Sequence, residues 1–403
     1  MTAFPESASP ESSVPDVRPA YTRELAPDLA RGLMLLFIAL ANVPGFLYGR
    51  ETGGLVRPLG GTRADQLVSV AGIIAIDGRI YPMFAFLFGV GMVQFRRSRL
   101  EHGVALPVVR RMLTDRHLWL IGFGAVHALL LFAGDILGTY GLCGLILMAA
   151  LFERDNKQIG LFAAIYLGFL ALYAGAVLAG GLTTPLTPEL VAAARSTFAP
   201  VAEPSYPASM ALRFQAWLSG TLTGALTTPI MPAILLGWIA ARQGWLVQRR
   251  YRRLLIATAA IGIPVAWLGA LPTALAHLGV LAAPAWAFSG LVALTGLAGG
   301  LGYVAGFALL GQRLQDRQSA PVRAVAALGQ RSLSGYLFQS VIFAPLLSAW
   351  GLALGGWIGA AAAAGIALVT WLVSVLLAYA LSRAGRRGPA EVLLRRLTYR
   401  RAR

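Results

Sequence analysis

Repeated apolar runs of about 20 residues, each bounded by arginine, are the feature that most constrains this chain. A helical run of that length matches the hydrocarbon thickness of a lipid bilayer. The 403 residues are 57% hydrophobic and only 13% charged, which is too little polar surface to cover a soluble fold. The sequence therefore predicts an all-α, polytopic integral membrane helix bundle. It excludes a soluble enzyme, a disordered protein and a secreted disulfide scaffold.

Ten apolar segments are predicted to cross the membrane. The second contains Arg79 and Pro82 and is too long for one straight crossing, which predicts a broken helix. The third and fourth are separated by little more than Gly134 and Asp135, which predicts a tight hairpin. The ten segments lie at residues 30–48, 66–95, 117–133, 135–152, 158–181, 214–243, 254–276, 284–310, 332–350 and 355–382.

The distribution of arginine predicts how the bundle is oriented. The connections at residues 96–116, 242–253 and 311–331 and the tail at 383–403 carry six, five, four and eight arginines. The alternate connections carry few, so the positive-inside rule places the rich segments and both termini in the cytoplasm. The net charge of +17 then reflects topology, and nucleic acid is not an expected partner.

The chain is predicted to have three parts. Residues 1–24 are polar and rich in proline and serine, and they are expected to form a disordered N-terminal tail. Residues 25–382 form the transmembrane bundle, and residues 383–403 form a basic cytoplasmic tail. The expected location is the cytoplasmic membrane, where a multi-pass protein of this kind contacts membrane lipid.

His127 is the one histidine that falls well inside a predicted span. An ionisable residue there costs about 2.5 kcal/mol or more on insertion scales, so it needs a partner or a function. Asp135 follows eight residues later, after the hairpin, where both side chains can face one cavity. In one interpretation His127 only holds neighbouring helices together and Asp135 is a helix N-cap. In the other, the imidazole is a general base or nucleophile oriented by the carboxylate.

A polar stripe along the first span predicts a lined cavity. Asp28 and Arg31 are three residues apart and can pair on one helix face, and Asn42 lies eleven residues beyond Arg31 on nearly the same face. The functional interpretation is a charged site at the cytoplasmic mouth, suited to the phosphates of a substrate. Asp77 and Arg79 of the broken segment would help to close that mouth. The structural alternative is a helix cap with an interfacial arginine.

The ninth span carries a face of small and polar residues, namely Ser332, Gly335, Tyr336 and Gln339. In membranes such faces usually mean close helix packing, so substrate binding and packing both stay open for them. The one cysteine, Cys143, allows no internal disulfide. The sequence contains no metal-ligand or phosphate-loop motif, so neither a metal nor a bound cofactor is expected.

Six short motifs follow one another along the chain. They are Asp28-x-x-Arg31-Gly32 with Asn42, Phe84-Ala85-Phe86-Leu87-Phe88-Gly89-Val90-Gly91, Gly122 to His127 with Gly134-Asp135-Ile136-Leu137 and Tyr140, Leu236-Gly237 with Gly244-Trp245-Leu246, Gly329 to Gln339-Ser340, and Gly388-Pro389-Ala390-Glu391. In this order they resemble the YeiB-like bacterial membrane family, known as domain of unknown function 418. The resemblance runs from about residue 25 to about residue 399.

The resemblance implies a link to transmembrane acyltransferases that include the lysosomal heparan-alpha-glucosaminide N-acetyltransferase. It implies a bundle of ten or eleven helices in which acyl-CoA, as a co-substrate, enters from the cytosol. An unidentified acceptor hydroxyl or amine would receive the acyl group at the outer side. His127 would be the catalytic histidine and Asp135 its orienting partner. The residues expected to bind substrate are Asp28, Arg31, Asn42, Arg79, Tyr140, Tyr336 and Gln339.

Transport or export of a small molecule is the alternative function. The same polar stripe would then be the permeation path, with His127 as a proton-coupling residue. The sequence leaves open the acyl group, the acceptor, and whether His127 acts as a base or carries the acyl group. It also leaves open a homo-oligomer, since the Ala- and Gly-rich tenth span could pack within one bundle or across a dimer.

Overall fold

The computed structural model describes residues 25–183, 199–315 and 319–399, and the regular structure in these ranges is helical. The tail predicted at residues 1–24 lies outside the described residues. The helices, in chain order, are α1 (Leu25–Asn42), α2 (Arg63–Ala75), α3 (Ile80–Glu101), α4 (Leu106–Leu130), α5 (Leu137–Leu151), α6 (Asn156–Thr183), α7 (Ala199–Ala202), α8 (Tyr206–Thr227), α9 (Ile230–Gln243), α10 (Arg252–His277), α11 (Ser289–Leu314), α12 (Ala320–Gly329), α13 (Ser332–Leu347), α14 (Ala360–Arg383) and α15 (Pro389–Tyr399).

The broken helix that the sequence predicts in the second segment is confirmed. The break between α2 and α3 lies at residues 76–79, where Gly78 has a left-handed backbone with φ of 79°. A break in a helix leaves carbonyl groups without their usual N–H donors, and inside an apolar bundle these carbonyls need other donors. The side chain of Arg79, which is fully buried, provides such donors. Its guanidinium donates to the carbonyl of Ile73 at 3.0 Å and to that of Ala266 on α10, which ties the break to the bundle.

Six helical segments have the length and apolar composition of membrane spans, and a bent pair of helices would make a seventh. The apolar helices α5 and α13 are shorter, at 15 and 16 residues, or about 22–24 Å along their axes. The predicted count of ten spans and the cytoplasmic placement of both termini therefore stay predictions. The six segments are Pro27–Phe46, Arg63–Glu101, Asn156–Thr183, Arg249–His277, Ala285–Leu314 and Ala360–Arg383, and the bent pair is Tyr206–Thr227 with Ile230–Gln243.

Three of the long helices expose large apolar side chains. Leu172 on α6 is 78% exposed, and Leu268 on α10 and Leu376 on α14 are each 67% exposed. Water would make such contiguous apolar faces costly, whereas lipid tails would not. The exposed side chains therefore indicate a membrane protein whose outer faces contact lipid.

The helices α3 and α9 cross at close range because each has a glycine at the contact. A Cβ atom at Gly89 of α3 would overlap the carbonyl oxygen of Ile234, and one at Gly237 of α9 would overlap that of Phe86. Small residues at a crossing allow the two backbones to approach closely. This contact fixes the position of α3 within the bundle.

Gly89→Ala is expected to destabilise the bundle by about 1–3 kcal/mol, because α3 and α9 would have to separate. Cys143 is the only cysteine and is fully buried, so its reaction with a thiol dye on heating reports unfolding. The labelling temperature should fall for Gly89→Ala. Gly168→Ala on α6 is the matched control, since a Cβ there meets nothing within 4 Å. Equal labelling temperatures for the two variants would contradict this explanation.

Part of the predicted basic tail forms the helix α15, which packs against α4 and α13. Glu391 fixes it in place. Its carboxylate accepts hydrogen bonds from the backbone N–H groups of Leu333 at 2.8 Å and Ser334 at 3.1 Å, and from the Ser334 hydroxyl. A carboxylate at a helix N-terminus stabilises the unpaired N–H groups there. The described tail helix is therefore part of the folded bundle.

Candidate active site

The predicted His–Asp pair is present at the end of α4. His127 lies in the last turn of α4, and Asp135 lies in the connection 131–136 that leads into α5. His127 Nδ1 and Asp135 Oδ2 are 2.7 Å apart, and the two side chains are 2% and 0% exposed. An ionised carboxylate has no proton to donate, so Nδ1 carries the hydrogen and Nε2 is the nitrogen left for chemistry.

Asp135 is held by more than one partner. Its Oδ1 accepts hydrogen bonds from the N–H of Gly138 at 3.1 Å and from Trp217 Nε1 on α8 at 3.3 Å. The hydroxyl of Tyr336 on α13 lies 3.4 Å from Oδ2. The N-cap of α5 is Ile136, so Asp135 lies one residue before the position that the N-cap interpretation predicted. Asp135 still accepts a hydrogen bond from the first turn of α5 and also orients His127.

The outer nitrogen of the imidazole is unpaired. Among the described residues, His127 Nε2 is buried and makes no hydrogen bond. Two aromatic rings lie against the imidazole, that of Tyr336 with its centroid at 5.2 Å and that of Phe132 at 6.4 Å. Within the described ranges, Nε2 of His117 is also buried without a hydrogen bond, so what sets His127 apart is the carboxylate that orients its Nδ1.

A central cavity of about 410 Å³ lies beside the His–Asp pair. Gly134 and Ile136, which flank Asp135, line this cavity, as does Tyr336, which separates it from His127. His127 itself does not line it. Among the other residues predicted to bind substrate, Asn42 and Tyr140 also line the cavity.

The wall of the central cavity is mainly apolar and includes a group of stacked aromatic rings. The Tyr140 ring stacks with those of Phe84 and Phe88, with centroids at 6.1 Å and 5.7 Å. The Tyr140 hydroxyl donates to the carbonyl of Tyr81 at 2.8 Å, so the polar end of this side chain is satisfied within α3. The cavity therefore offers an apolar surface to an acyl chain or another apolar group.

The two ends of the cavity differ. One end includes Arg116 and Leu394, from segments predicted to be cytoplasmic. The other end includes Leu55 and Val56, from the connection between the first two predicted spans. Both of these residues have left-handed backbones, with φ of 56° and 65°, a conformation that costs about 1–3 kcal/mol per residue outside glycine.

A buried ion pair anchors this strained segment. Arg57 follows Val56 and donates to both carboxylate oxygens of Asp77, from Nε at 2.5 Å and from Nη2 at 2.8 Å. The two side chains are 3% and 9% exposed. A Cβ at Gly72 of α2 would overlap the guanidinium, so this glycine makes room for Arg57. Asp77 therefore holds Leu55 and Val56 against the cavity.

The remaining predicted site residues lie outside the lining of the central cavity. Asp28 and Arg31 face each other at the start of α1, with Oδ1 and Nη1 3.8 Å apart. Gln339 Nε2 donates to the carbonyl of Leu35 at 2.8 Å and so joins α13 to α1. Arg79 is used at the helix break and is fully buried, which does not support the predicted contact with substrate phosphates.

The structure adds residues that the sequence analysis did not select. Trp217 bonds to the catalytic candidate Asp135 but lies in an apolar segment, where its side chain gave no polar signal. Arg57 lies in a short connection, and its pairing with Asp77 depends on the fold. Arg116 was used only to predict the orientation of the bundle in the membrane, although its side chain lines the central cavity. For all three residues the missing information was the arrangement of helices in space.

The long apolar helices and their exposed apolar side chains indicate a polytopic helical membrane protein. Residues 240–401 match the model of the family described as "Protein of unknown function (DUF418)". The C-terminal part of the chain is thus similar to this family, which the sequence analysis expected from its motifs. The matched range covers about two fifths of the chain, at its C-terminal end.

Three uncharacterised bacterial proteins are similar to the chain. A 39.9 kDa protein in the amylase 3' region of Bacillus acidopullulyticus is 32% identical over 154 residues, or 37% of this chain and 40% of the relative. YxaH of Bacillus subtilis (strain 168) is 29% identical over 36% of each chain. YeiB of Escherichia coli (strain K12) is 31% identical over 31% of this chain and 30% of the relative. The chain thus matches well under half the length of these relatives.

Neither the family description nor the names of the relatives states an activity. The predicted link to transmembrane acyltransferases, the co-substrate acyl-CoA and the alternative of transport therefore stay predictions. A membrane location follows from the apolar helices, while the cytoplasmic membrane in particular stays a prediction.

Proposed function

We propose that this protein is a membrane acyltransferase that moves an acyl group from cytosolic acyl-CoA to a hydroxyl or amine at the outer side. The observation that carries the proposal is the buried imidazole of His127. Its Nδ1 is oriented by Asp135, and its Nε2 has no hydrogen-bond partner in the described part of the chain. This arrangement orients an imidazole for proton transfer or nucleophilic attack.

The central cavity supplies a route for the donor. Arg116 marks its predicted cytoplasmic end, and His127 lies eleven residues further along the same helix, about 16 Å deeper into the bundle. The aromatic wall formed by Phe84, Phe88 and Tyr140 suits an acyl group. A donor with a charged head and a thin arm could hold its thioester near Tyr336 while its head stays at the cytoplasmic end.

The chemistry needs Nε2 to reach the thioester or the acceptor. As a general base, Nε2 takes the proton of the acceptor hydroxyl or amine, whose oxygen or nitrogen attacks the thioester carbonyl. The C–S bond then breaks, and the thiolate leaving group takes the proton from the imidazolium. As an acyl carrier, Nε2 would itself attack the carbonyl and expel the thiolate; the acceptor would then attack the acyl-imidazole, the C–N bond to Nε2 would break, and the acceptor's proton would pass to the thiolate. Asp135 stabilises the imidazolium in the first route and the correct tautomer in both.

Tyr336 separates the imidazole from the cavity, so access depends on this ring. Its hydroxyl oxygen lies 3.4 Å from both Asp135 Oδ2 and the N–H of Ile136. Hydrogen bonds of this length are weak, so they contribute little to holding the ring in place. We infer that a bound donor turns Tyr336 aside and brings its thioester against His127.

The test is acyl transfer by purified protein in detergent, where no gradient can drive transport. The probes are acetyl-CoA and palmitoyl-CoA with a panel of amines and alcohols that begins with glucosamine, and the measurement is release of the free CoA thiol. Acceptor-dependent thiol release is expected. Arg31→Ala should weaken the binding of acetyl-CoA in calorimetry without changing the fold, because it removes one cation from the predicted phosphate side.

If this test fails, transport of a small molecule replaces acyl transfer as the proposed function. Folded protein that neither binds an acyl-CoA nor releases its thiol would overturn the acyltransferase. Proton-coupled uptake into liposomes that depends on His127 would then support a transporter.

A further inference from the structure

A second cavity, of about 420 Å³, lies at the predicted cytoplasmic face. It is walled by Arg116 of α4, by Arg331 just before α13, and by Arg387 and Arg395 in and next to α15. We call it the basic cavity. These arginines come from three different segments that the sequence places in the cytoplasm, and they converge only because α15 docks on the bundle.

The charges around the basic cavity do not cancel. Glu391 is the one carboxylate in its lining, and its oxygens already accept hydrogen bonds from Leu333 and Ser334 at the start of α13. Burial, and the nearby charge of Arg31, lower the pKa of Arg116 from its usual value. Like charges held together in a partly enclosed site favour the binding of an anion.

The arginines also differ in how they are held. The Arg331 guanidinium donates to the carbonyls of Ala327 at 2.9 Å and Arg386 at 2.5 Å, which fixes it in the wall. Arg387 and Arg395 are exposed and can turn towards a ligand. A fixed wall with movable cations at the rim is an arrangement that accepts phosphate groups, which arginine binds in a bidentate manner.

The basic cavity adjoins the central one. Arg116 and Leu394 line both cavities, so these two side chains lie between them. A ligand whose narrow arm passes Arg116 can place an anionic head among the arginines and reach the aromatic rings of the central cavity. This adjacency favours a molecule with both parts over a small free anion.

We propose that the basic cavity binds the phosphate groups of a ligand whose long arm runs past Arg116 into the central cavity. The identification of that ligand as the acyl donor rests on the proposed function. Two sources share this chemistry, namely a soluble thioester carrier such as coenzyme A and an anionic phospholipid. The helix α15 forms one wall of the site and is held in place by Glu391.

The test compares neighbouring arginines of one helix. Arg395→Gln removes a charge from the basic cavity, whereas Arg396→Gln removes one from the next residue of α15, which is exposed and lies outside the lining. Both substitutions change the net charge equally, and both replace an exposed side chain of α15. The probes are free coenzyme A in calorimetry and, in a second arm, vesicles containing phosphatidic acid.

Arg395→Gln and Arg387→Gln are each expected to weaken coenzyme A binding by about tenfold, the loss of one charged hydrogen bond. Arg396→Gln should stay within about twofold, as for a surface charge. Binding of phosphatidic acid with the same pattern, and none of coenzyme A, would support the site with a lipid as its ligand. Equal losses in all three variants, or no binding of either probe, would overturn the proposal.

Failure of the proposal for the basic cavity is distinguishable from failure of the acyltransferase proposal. Free coenzyme A carries no acyl group, so its binding does not depend on His127 or on turnover. Acyl transfer that is unchanged in Arg395→Gln and Arg387→Gln would overturn the basic cavity as the donor site and leave the acyltransferase standing. Binding of coenzyme A with this pattern, but without transfer, would overturn the acyltransferase alone.

Discussion

Asp135→Asn is expected to lower the rate of acyl transfer by about 10²- to 10⁴-fold while the protein stays folded. The oxygen of the substituted amide can still accept the hydrogen bonds that Gly138 and Trp217 now give to Oδ1. The amide NH₂ group, however, would replace Oδ2 and donate to His127 Nδ1. The hydrogen of the imidazole would then move to Nε2, which would lose the lone pair needed for base or nucleophilic chemistry.

His127→Ala should cause a loss of the same size, and added imidazole should restore part of the rate to it but not to Asp135→Asn. His102→Ala is the matched control, since His102 is exposed at the end of α3 and far from the pair in sequence. The measurement is thiol release from acyl-CoA, with dye labelling of Cys143 to show that each variant is folded. Full activity in Asp135→Asn would contradict the assigned role of the pair.

The sequence predicted the His127–Asp135 pair because an ionisable side chain within an apolar segment costs free energy unless it has a partner. An imidazole and a carboxylate in apolar segments joined by a short hairpin have few ways to be satisfied except by each other, and the 2.7 Å contact between His127 and Asp135 confirms this. The helix break was predictable on similar grounds, since Gly78 and Arg79 are unsuited to a straight apolar helix. Both predictions depended only on residues that are close to one another in the sequence.

The rest of the site depends on contacts between distant segments. Trp217 reaches Asp135 from 82 residues away, and Glu391 reaches Ser334 from 57 residues away. Neither spacing follows a helical period, so sequence patterns could not pair them. Gln339 looked like part of a substrate-binding face, yet its amide bonds the backbone of α1. A polar side chain facing the interior of a bundle looks the same in sequence whether it holds a ligand or a neighbouring helix.

The number of membrane spans is a second feature that sequence patterns alone do not determine. Apolar runs predicted ten crossings, whereas six or seven segments of the described chain are long and apolar enough by themselves. The helix α4 carries Arg110, Arg111 and Arg116 in its first half, and α5 has only 15 residues. Ten of the 15 residues of α5 are buried, and a helix surrounded by protein and not by lipid needs neither full length nor full apolarity.

Asp77→Asn is expected to destabilise the protein by about 3–5 kcal/mol, the largest loss of stability among the substitutions considered. The change leaves the Arg57 guanidinium, which is 3% exposed, without its charged partner. It also releases the anchor of Leu55 and Val56, whose left-handed backbones persist only while the surrounding contacts hold them. The temperature at which Cys143 becomes reactive to a thiol dye should fall markedly.

The matched control is Glu101→Gln, which breaks an exposed arginine–carboxylate pair on α3. Arg97 and Glu101 are 2.7 Å apart but 79% and 54% exposed, so their pairing contributes only about 0–1 kcal/mol. The double variant Arg57→Met/Asp77→Leu removes both buried charges and should recover most of the lost stability, because an apolar pair avoids the desolvation cost. Equal labelling temperatures for Asp77→Asn and Glu101→Gln would show that the Arg57–Asp77 pair does not anchor the segment. If instead the double variant is as unstable as Asp77→Asn, the loss arises from packing at the helix break and not from an unpaired buried charge.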